Sequence, residues 1–207
     1  LTNALGVNSE ITIATKLSPT VNIRGKILNV LKTTLKASLA NQEIQDLIKC
    51  MDAGIGDEYN HDEARYQKII IGSDADPDGD QIACLLIVAF WKLFPDAFNK
   101  KAVYRMLTPL YIIETKDGPI YCLNSEEKDE ALATLGNKKY KITRAKGLGE
   151  TGAKALKFTG TDPATRRIQQ ITIDDVKEAE RMLDTVMGDN IEARKEWLES
   201  NPIDFEE

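Results

Sequence analysis

Three aspartates, Asp74, Asp76 and Asp78, stand two residues apart and are followed at once by Gly79. Carboxylates this close repel one another strongly unless a cation neutralises them. Their donors are all oxygen, which selects a hard cation, Mg²⁺ before a transition metal. On extended backbone the spacing directs Asp74 and Asp76 to one side, and a turn at Gly79 lets Asp78 fold back toward them. Mg²⁺ keeps several waters and is usually completed by substrate phosphate, so the loop is a candidate for phosphoryl transfer on a nucleic-acid backbone. Two other meanings share the pattern. An EF-hand calcium loop begins the same way, but it needs a bidentate Glu at the twelfth position, where this chain has Leu85. A plain solvent turn also tolerates Asp and Gly, but three aspartates at the end of a buried strand are a costly way to build one.

The flanking elements decide where the carboxylates sit. Residues 66–72 are short, apolar and β-branched, and read as a buried strand. Residues 81–94 read as a helix apolar almost all round, which must be buried, and 102–106 as the next strand. Strand, loop, buried helix and strand make a parallel crossover, and ligands in open α/β sheets bind at the strand end where the loop begins. Upstream, helices are expected over 28–39 and 44–51, with Asn41 capping the second and Gly54 and Gly56 ending it. A short strand is expected over 11–15. Downstream, Lys116-Asp117-Gly118-Pro119 signals a hairpin turn, Ser125 caps a helix that Gly136 stops, and 141–144 is a further strand. Beyond Asp162-Pro163 the pattern turns helical, with Asp174 capping 176–187, and Asp189 and Glu192 opening a helix to about residue 199. A boundary near Gly160 separates an α/β body from a helical tail.

The remaining composition narrows the class. The apolar run inside 82–94 is too short to span a bilayer, and residue 1 starts no signal-peptide pattern. Cys50, Cys84 and Cys122 lie far apart and form no CxxC pair, which reads as reduced thiols of a cytoplasmic protein. The lone histidine, His61, lies in a polar stretch and reads as a surface residue. The net charge of −6 is uneven: residues 174–207 carry −8, so the rest carries about +2. Within that rest, 138–157 holds seven basic residues and one acid, compatible with one DNA-facing surface.

Several segments, in order, resemble a known family. Ile69-Ile70-Ile71-Gly72-Ser73-Asp74-Ala75-Asp76-Pro77-Asp78-Gly79 is similar to the second metal motif of TOPRIM domains, and most of all to the B subunits of DNA gyrase and topoisomerase IV. Ile23-Arg24-Gly25-Lys26-Ile27-Leu28-Asn29-Val30 resembles the family's PLRGKILNV stretch. Thr108-Pro109-Leu110-Tyr111 resembles its PPLY strand, and Arg144 to Glu150 its RYKGLGE loop. Met187-Gly188-Asp189 with Arg194 resembles its closing LMGD segment. The resemblance covers about residues 23–201.

That resemblance implies an α/β fold, a TOPRIM-like parallel sheet flanked by helices with a C-terminal helical tail. The implied division is 1–160 for the TOPRIM domain and 161–207 for the tail. It implies the DNA cleavage and religation part of an ATP-dependent type IIA topoisomerase. Mg²⁺ on Asp74 and Asp76, with Asp78 as an auxiliary acid, supports phosphodiester transfer to a tyrosine of the A subunit. Arg24, Lys26 and Lys146 are implied at the DNA backbone, where charge positions phosphate without reading sequence. The implied partners are duplex DNA and the A subunit in an A2B2 heterotetramer, with no membrane. ATP is used by a domain outside these residues. The chain departs from the pattern in three places. The family's general acid/base glutamate lies in an EGDSA motif about 23 residues before the RGK arginine. Here that position falls at Leu1, and Glu10, the one acid upstream of Arg24, lacks the following Gly-Asp-Ser. The glutamate is therefore expected from outside these residues, and the chain is expected to be inactive alone. Pro77 stands where the family has an aliphatic residue. Asp80-Gln81 replace a small residue and histidine, and Asp80 adds a fourth acid that changes the expected metal affinity. Two alternatives keep the loop but change the function: another TOPRIM protein, of primase or nuclease kind, and a DNA- and subunit-docking module whose catalysis has lapsed.

Overall fold

A computed structural model describes residues 26–145, 148–174 and 176–201, together with 21 and 23. Arg24, Lys146, Glu10 and the strand expected over 11–15 lie outside the described residues. In chain order the helices and strands are α1 (Leu35–Ala40), α2 (Gln42–Met51), β1 (Ile69–Ile71), α3 (Pro77–Leu93), α4 (Asp96–Asn99), β2 (Val103–Met106), β3 (Tyr111–Thr115), β4 (Gly118–Cys122), α5 (Ser125–Leu135), β5 (Tyr140–Arg144), α6 (Leu148–Leu156), β6 (Ile168–Gln170), α7 (Val176–Met187) and α8 (Ile191–Ser200). The described residues group into two compact units, one holding Lys26, Lys68–Cys84 and Ala102–Ile171, the other Ile27–Gln67, Leu85–Lys101 and the residues from Thr172 on.

The first unit contains two three-stranded sheets. In the sheet ordered β1-β2-β6, β1 and β2 are parallel, with Ile69 beside Val103 and Ile71 beside Arg105. This is the crossover that the alternation of strand, buried helix and strand implies. β6 then runs antiparallel to β2, pairing Met106 with Ile168. This third strand corrects the expectation of helix throughout the region after Pro163. Ile168-Gln169-Gln170 is too short to show a period of its own, and β2 supplies its hydrogen bonds. The other sheet, β4-β3-β5, is antiparallel. Its hairpin has the two-residue loop Lys116-Asp117 that the turn signal demands, with Thr115 facing Gly118.

The second unit is helical. Its ring contacts include Phe94 on Tyr59 at 5.0 Å, Phe90 on Phe94 at 5.6 Å, and Trp91 edge-on to Phe98 at 5.4 Å. His61 is buried, 1% exposed, which corrects the surface reading. The Tyr59 hydroxyl meets its Nδ1 at 2.6 Å, and its backbone N–H donates to Asp96 Oδ2 at 3.1 Å. The polar neighbours Asn60, Asp62 and Glu63 disguised a residue that contacts Tyr59 and Gln67 nearby and Asp96 far along the chain. Other differences concern ends. The helix expected over 28–39 is a 3₁₀ turn, Val30–Lys32, followed by α1, which Thr34 caps. Asn41 does cap α2, accepting from Ile44 N–H. Asn124 rather than Ser125 caps α5, and Asn190 rather than Asp189 caps α8. In both cases the amide side chain one residue away reaches the third helical N–H, the geometry a cap requires.

Candidate metal centre

The acidic loop leaves the C-terminal end of β1, the edge at which parallel sheets bind ligands. Its backbone differs from the expected turn. Pro77 opens α3, so Asp78, Gly79 and Asp80 form the first helical turn. Asp76 is the cap: its Oδ1 accepts the Gly79 N–H at 2.7 Å, and its carbonyl accepts the Asp80 N–H at 2.9 Å. Asp followed by Pro is the signature of an N-cap followed by a first helical residue, and it stands in the sequence. Gly79 therefore serves close approach and not a turn. A Cβ there would lie 2.2 Å from the Asp74 carbonyl oxygen, so only glycine lets the helix start seat under the strand end.

This geometry sorts the carboxylates. Asp74 and Asp76 are half-buried at the strand end, while Asp78 and Asp80 are exposed. Asp78 does not fold back toward the other two. Its Oδ1 lies 2.9 Å from Lys26 Nζ, which also donates to Gln81 Oε1. Asp80 pairs with the Arg105 guanidinium from β2. Among the described residues no three His, Cys, Asp or Glu side chains form a closed metal cage. A cation of the Mg²⁺ kind does not need one, because one or two carboxylates with water and phosphate complete it. The two half-buried carboxylates fit such an ion. Beside them the Ser73 hydroxyl is buried with no hydrogen-bond partner among the described protein atoms, a polar atom left over at the same strand end.

Of the basic candidates, Lys26 stands at this loop, through its contacts with Asp78 and Gln81. Arg24 and Lys146 fall outside the described residues. Sequence reasoning missed Arg105, which is remote from Asp80 in the chain and meets it only through the parallel register of β1 and β2.

Residues 9–107 match the Toprim domain, and residues 137–199 match the DNA gyrase B subunit, carboxyl terminus. The B subunit of DNA topoisomerase 4 from Mycoplasma capricolum is 42% identical over 86% of this chain and 28% of its own length. The chain belongs to the family of DNA gyrase and topoisomerase IV B subunits. The gyrase B subunits of Treponema denticola and Thermotoga maritima are 37% and 38% identical, over 86% and 89% of this chain. The chain spans less than a third of the length of these relatives, 28% and 29% of the last two. The parallel β1–β2 pair and the helices α7 and α8 agree with the α/β Toprim fold and helical tail of the family. Toprim domains of topoisomerases bind divalent metal, and the acidic loop lies within the segment matched to that domain. No helix among the described residues is long and apolar enough to cross a membrane.

Proposed function

We propose that this chain is the DNA cleavage and religation part of the B subunit of an ATP-dependent type IIA topoisomerase. The observation that carries the reading is the placement of Asp74 and Asp76 at the end of a parallel strand, with Lys26 beside the same loop, in a chain of this family. Asp74 and Asp76 hold Mg²⁺, and Asp78 is an auxiliary acid at the rim. The ion, when bound, neutralises charge developing on the phosphate oxygens and the leaving oxygen. Lys26, with Arg24 and Lys146, holds the DNA backbone. The reaction is phosphodiester exchange: a tyrosine oxygen, supplied by the A subunit, forms a bond to phosphorus as the 3′ oxygen leaves, giving a 5′-phosphotyrosyl link that reverses on religation. Duplex DNA and an A subunit are the partners, in an A2B2 assembly in the cytoplasm, and ATP is bound by a domain outside these residues. The division at 1–160 and 161–207 belongs to the same reading. The match of residues 137–199 to the gyrase B carboxyl terminus favours it over a primase or nuclease.

The test is reconstitution with an A subunit and the family's EGDSA-bearing segment, assaying covalent DNA cleavage with and without Mg²⁺. Asp74→Ala and Asp76→Ala abolish cleavage in this reading while the fold survives. Cleavage at the wild-type rate in both variants sinks the metal assignment.

A further inference from the structure

Four aspartates lie within seven residues, at 74, 76, 78 and 80. The start of α3 separates them. At about 100° per residue, Asp78 and Asp80 leave the first turn roughly 200° apart, and each meets a different base. Arg105 is anchored on β2 opposite Ile71 in the parallel ladder, two residues before Ser73, and its side chain is only 29% exposed. The same segment touches the loop twice more. Thr108 Oγ1 donates to the Ser73 carbonyl at 2.9 Å, and Met106 Cε lies where a Cβ on Gly72 would meet it at 3.2 Å. Residues 105–108 thus hold the loop at its beginning through Gly72 and Ser73, and at its end through Asp80.

We propose that Arg105 is a positioning residue for the metal loop. Its ion pair with Asp80 holds the first turn of α3 against β2 and cancels the charge of the fourth carboxylate beside Asp74 and Asp76. The proposal rests on the metal reading of those two residues. Without Arg105, Asp80 adds an uncompensated negative charge near the cation. Without Asp80, Arg105 adds an uncompensated positive one. Charge compensation therefore demands opposite changes in cation affinity, whereas a merely structural pair, once broken, weakens binding from either side.

The experiment titrates Mn²⁺ alone into the 207-residue chain and follows free Mn²⁺ by electron paramagnetic resonance. Wild type is compared with Asp80→Ser, Arg105→Ala, Arg105→Lys and the double variant Asp80→Ser/Arg105→Ala. At low salt, Asp80→Ser weakens binding about two- to fivefold and Arg105→Ala strengthens it by a similar factor. The double variant and Arg105→Lys return to within about twofold of wild type, and the opposite shifts shrink near 1 M salt as screening rises. Urea midpoints of the same proteins show which variants fold. If Arg105→Ala fails to fold, Arg105→Gln, which removes the charge and keeps most of the side chain, takes its place in the comparison with Asp80→Ser. Single variants that shift the same way, or do not shift, overturn the role of Arg105. The metal reading stands in that case if Asp74→Ala and Asp76→Ala still abolish binding. A wild-type chain that takes up no Mn²⁺ at millimolar concentration overturns the metal reading, and the role of Arg105 with it.

Discussion

A Cβ built on Gly79 would stand 2.2 Å from the carbonyl oxygen of Asp74 and 2.8 Å from its carbonyl carbon. Both are backbone atoms that cannot swing aside, so the first turn of α3 touches the loop backbone at Asp74 directly. In an ordinary helix Gly→Ala is stabilising by about 0.5–1 kcal/mol. Here overpacking costs about 1–3 kcal/mol and moves Asp74. Gly79→Ala is expected to lower the urea midpoint and to reduce cleavage in the reconstituted enzyme on the order of 10²-fold. A midpoint that rises refutes the contact.

Asp76 does two jobs that substitution separates. Its Oδ1 caps α3 through the Gly79 N–H, and its charge belongs to the candidate cation site. Asp76→Ala loses both, with a capping cost of about 1 kcal/mol. Asp76→Asn keeps the cap, because Asn and Asp cap about equally well, and loses only the charge. Thermal melts of the two variants are expected to differ while both lose cleavage. Cleavage retained by Asp76→Asn would remove the charge from the mechanism.

Arg167 grips both oxygens of Glu127, at 2.9 and 2.7 Å, and holds that carboxyl below its ordinary range, helped by the Leu123 N–H. A lowered folded value means the stabilisation is complete above the unfolded value of about 4.3 and is lost as pH falls through the folded one. The urea midpoint of wild type is therefore expected to exceed that of Glu127→Gln at pH 7, and the gap to close below about pH 4. A gap that stays constant from pH 7 to pH 3 contradicts the pairing.

Tyr59 is 5% exposed, and burial raises its hydroxyl well above the usual phenol range, with Asp96 adding to the effect. Tyr59→Phe keeps the ring against Phe94 but strips the partner from His61 Nδ1, which is buried. The loss is expected to be about 1–3 kcal/mol, read from denaturant unfolding. A neutral result would mean that water replaces the hydroxyl.

The legible part of the molecule is the part with local causes. The β1–loop–α3–β2 crossover follows from the isoleucine run, the apolar helix and the next strand. The hairpin at Lys116-Asp117 follows from its turn residues. The roles of Asp76 and Pro77 were also written locally, in an Asp-Pro pair that opens a helix, but reading Asp74 and Asp76 on extended backbone with a turn at Gly79 hid them. What the sequence could not show depends on remote register. Arg105 reaches Asp80 only because β1 and β2 are parallel with Ile71 beside Arg105. The His61 N–H finds Asp96, far along the chain, which no pattern around His61 announces. β6 exists because β2 offers it an edge.

Strand β5, one of the two outer strands of its sheet among the described residues, is exposed at every position, with Tyr140 and Ile142 at 44% and 40%. Unpaired backbone beside apolar side chains is a template on which a second chain can add, and so a route to aggregation. Lys141 and Arg144 stand on that strand, with Lys138 and Lys139 just before it. Two copies approaching edge to edge bring these cations together, so the chain's colloidal stability falls as salt screens them.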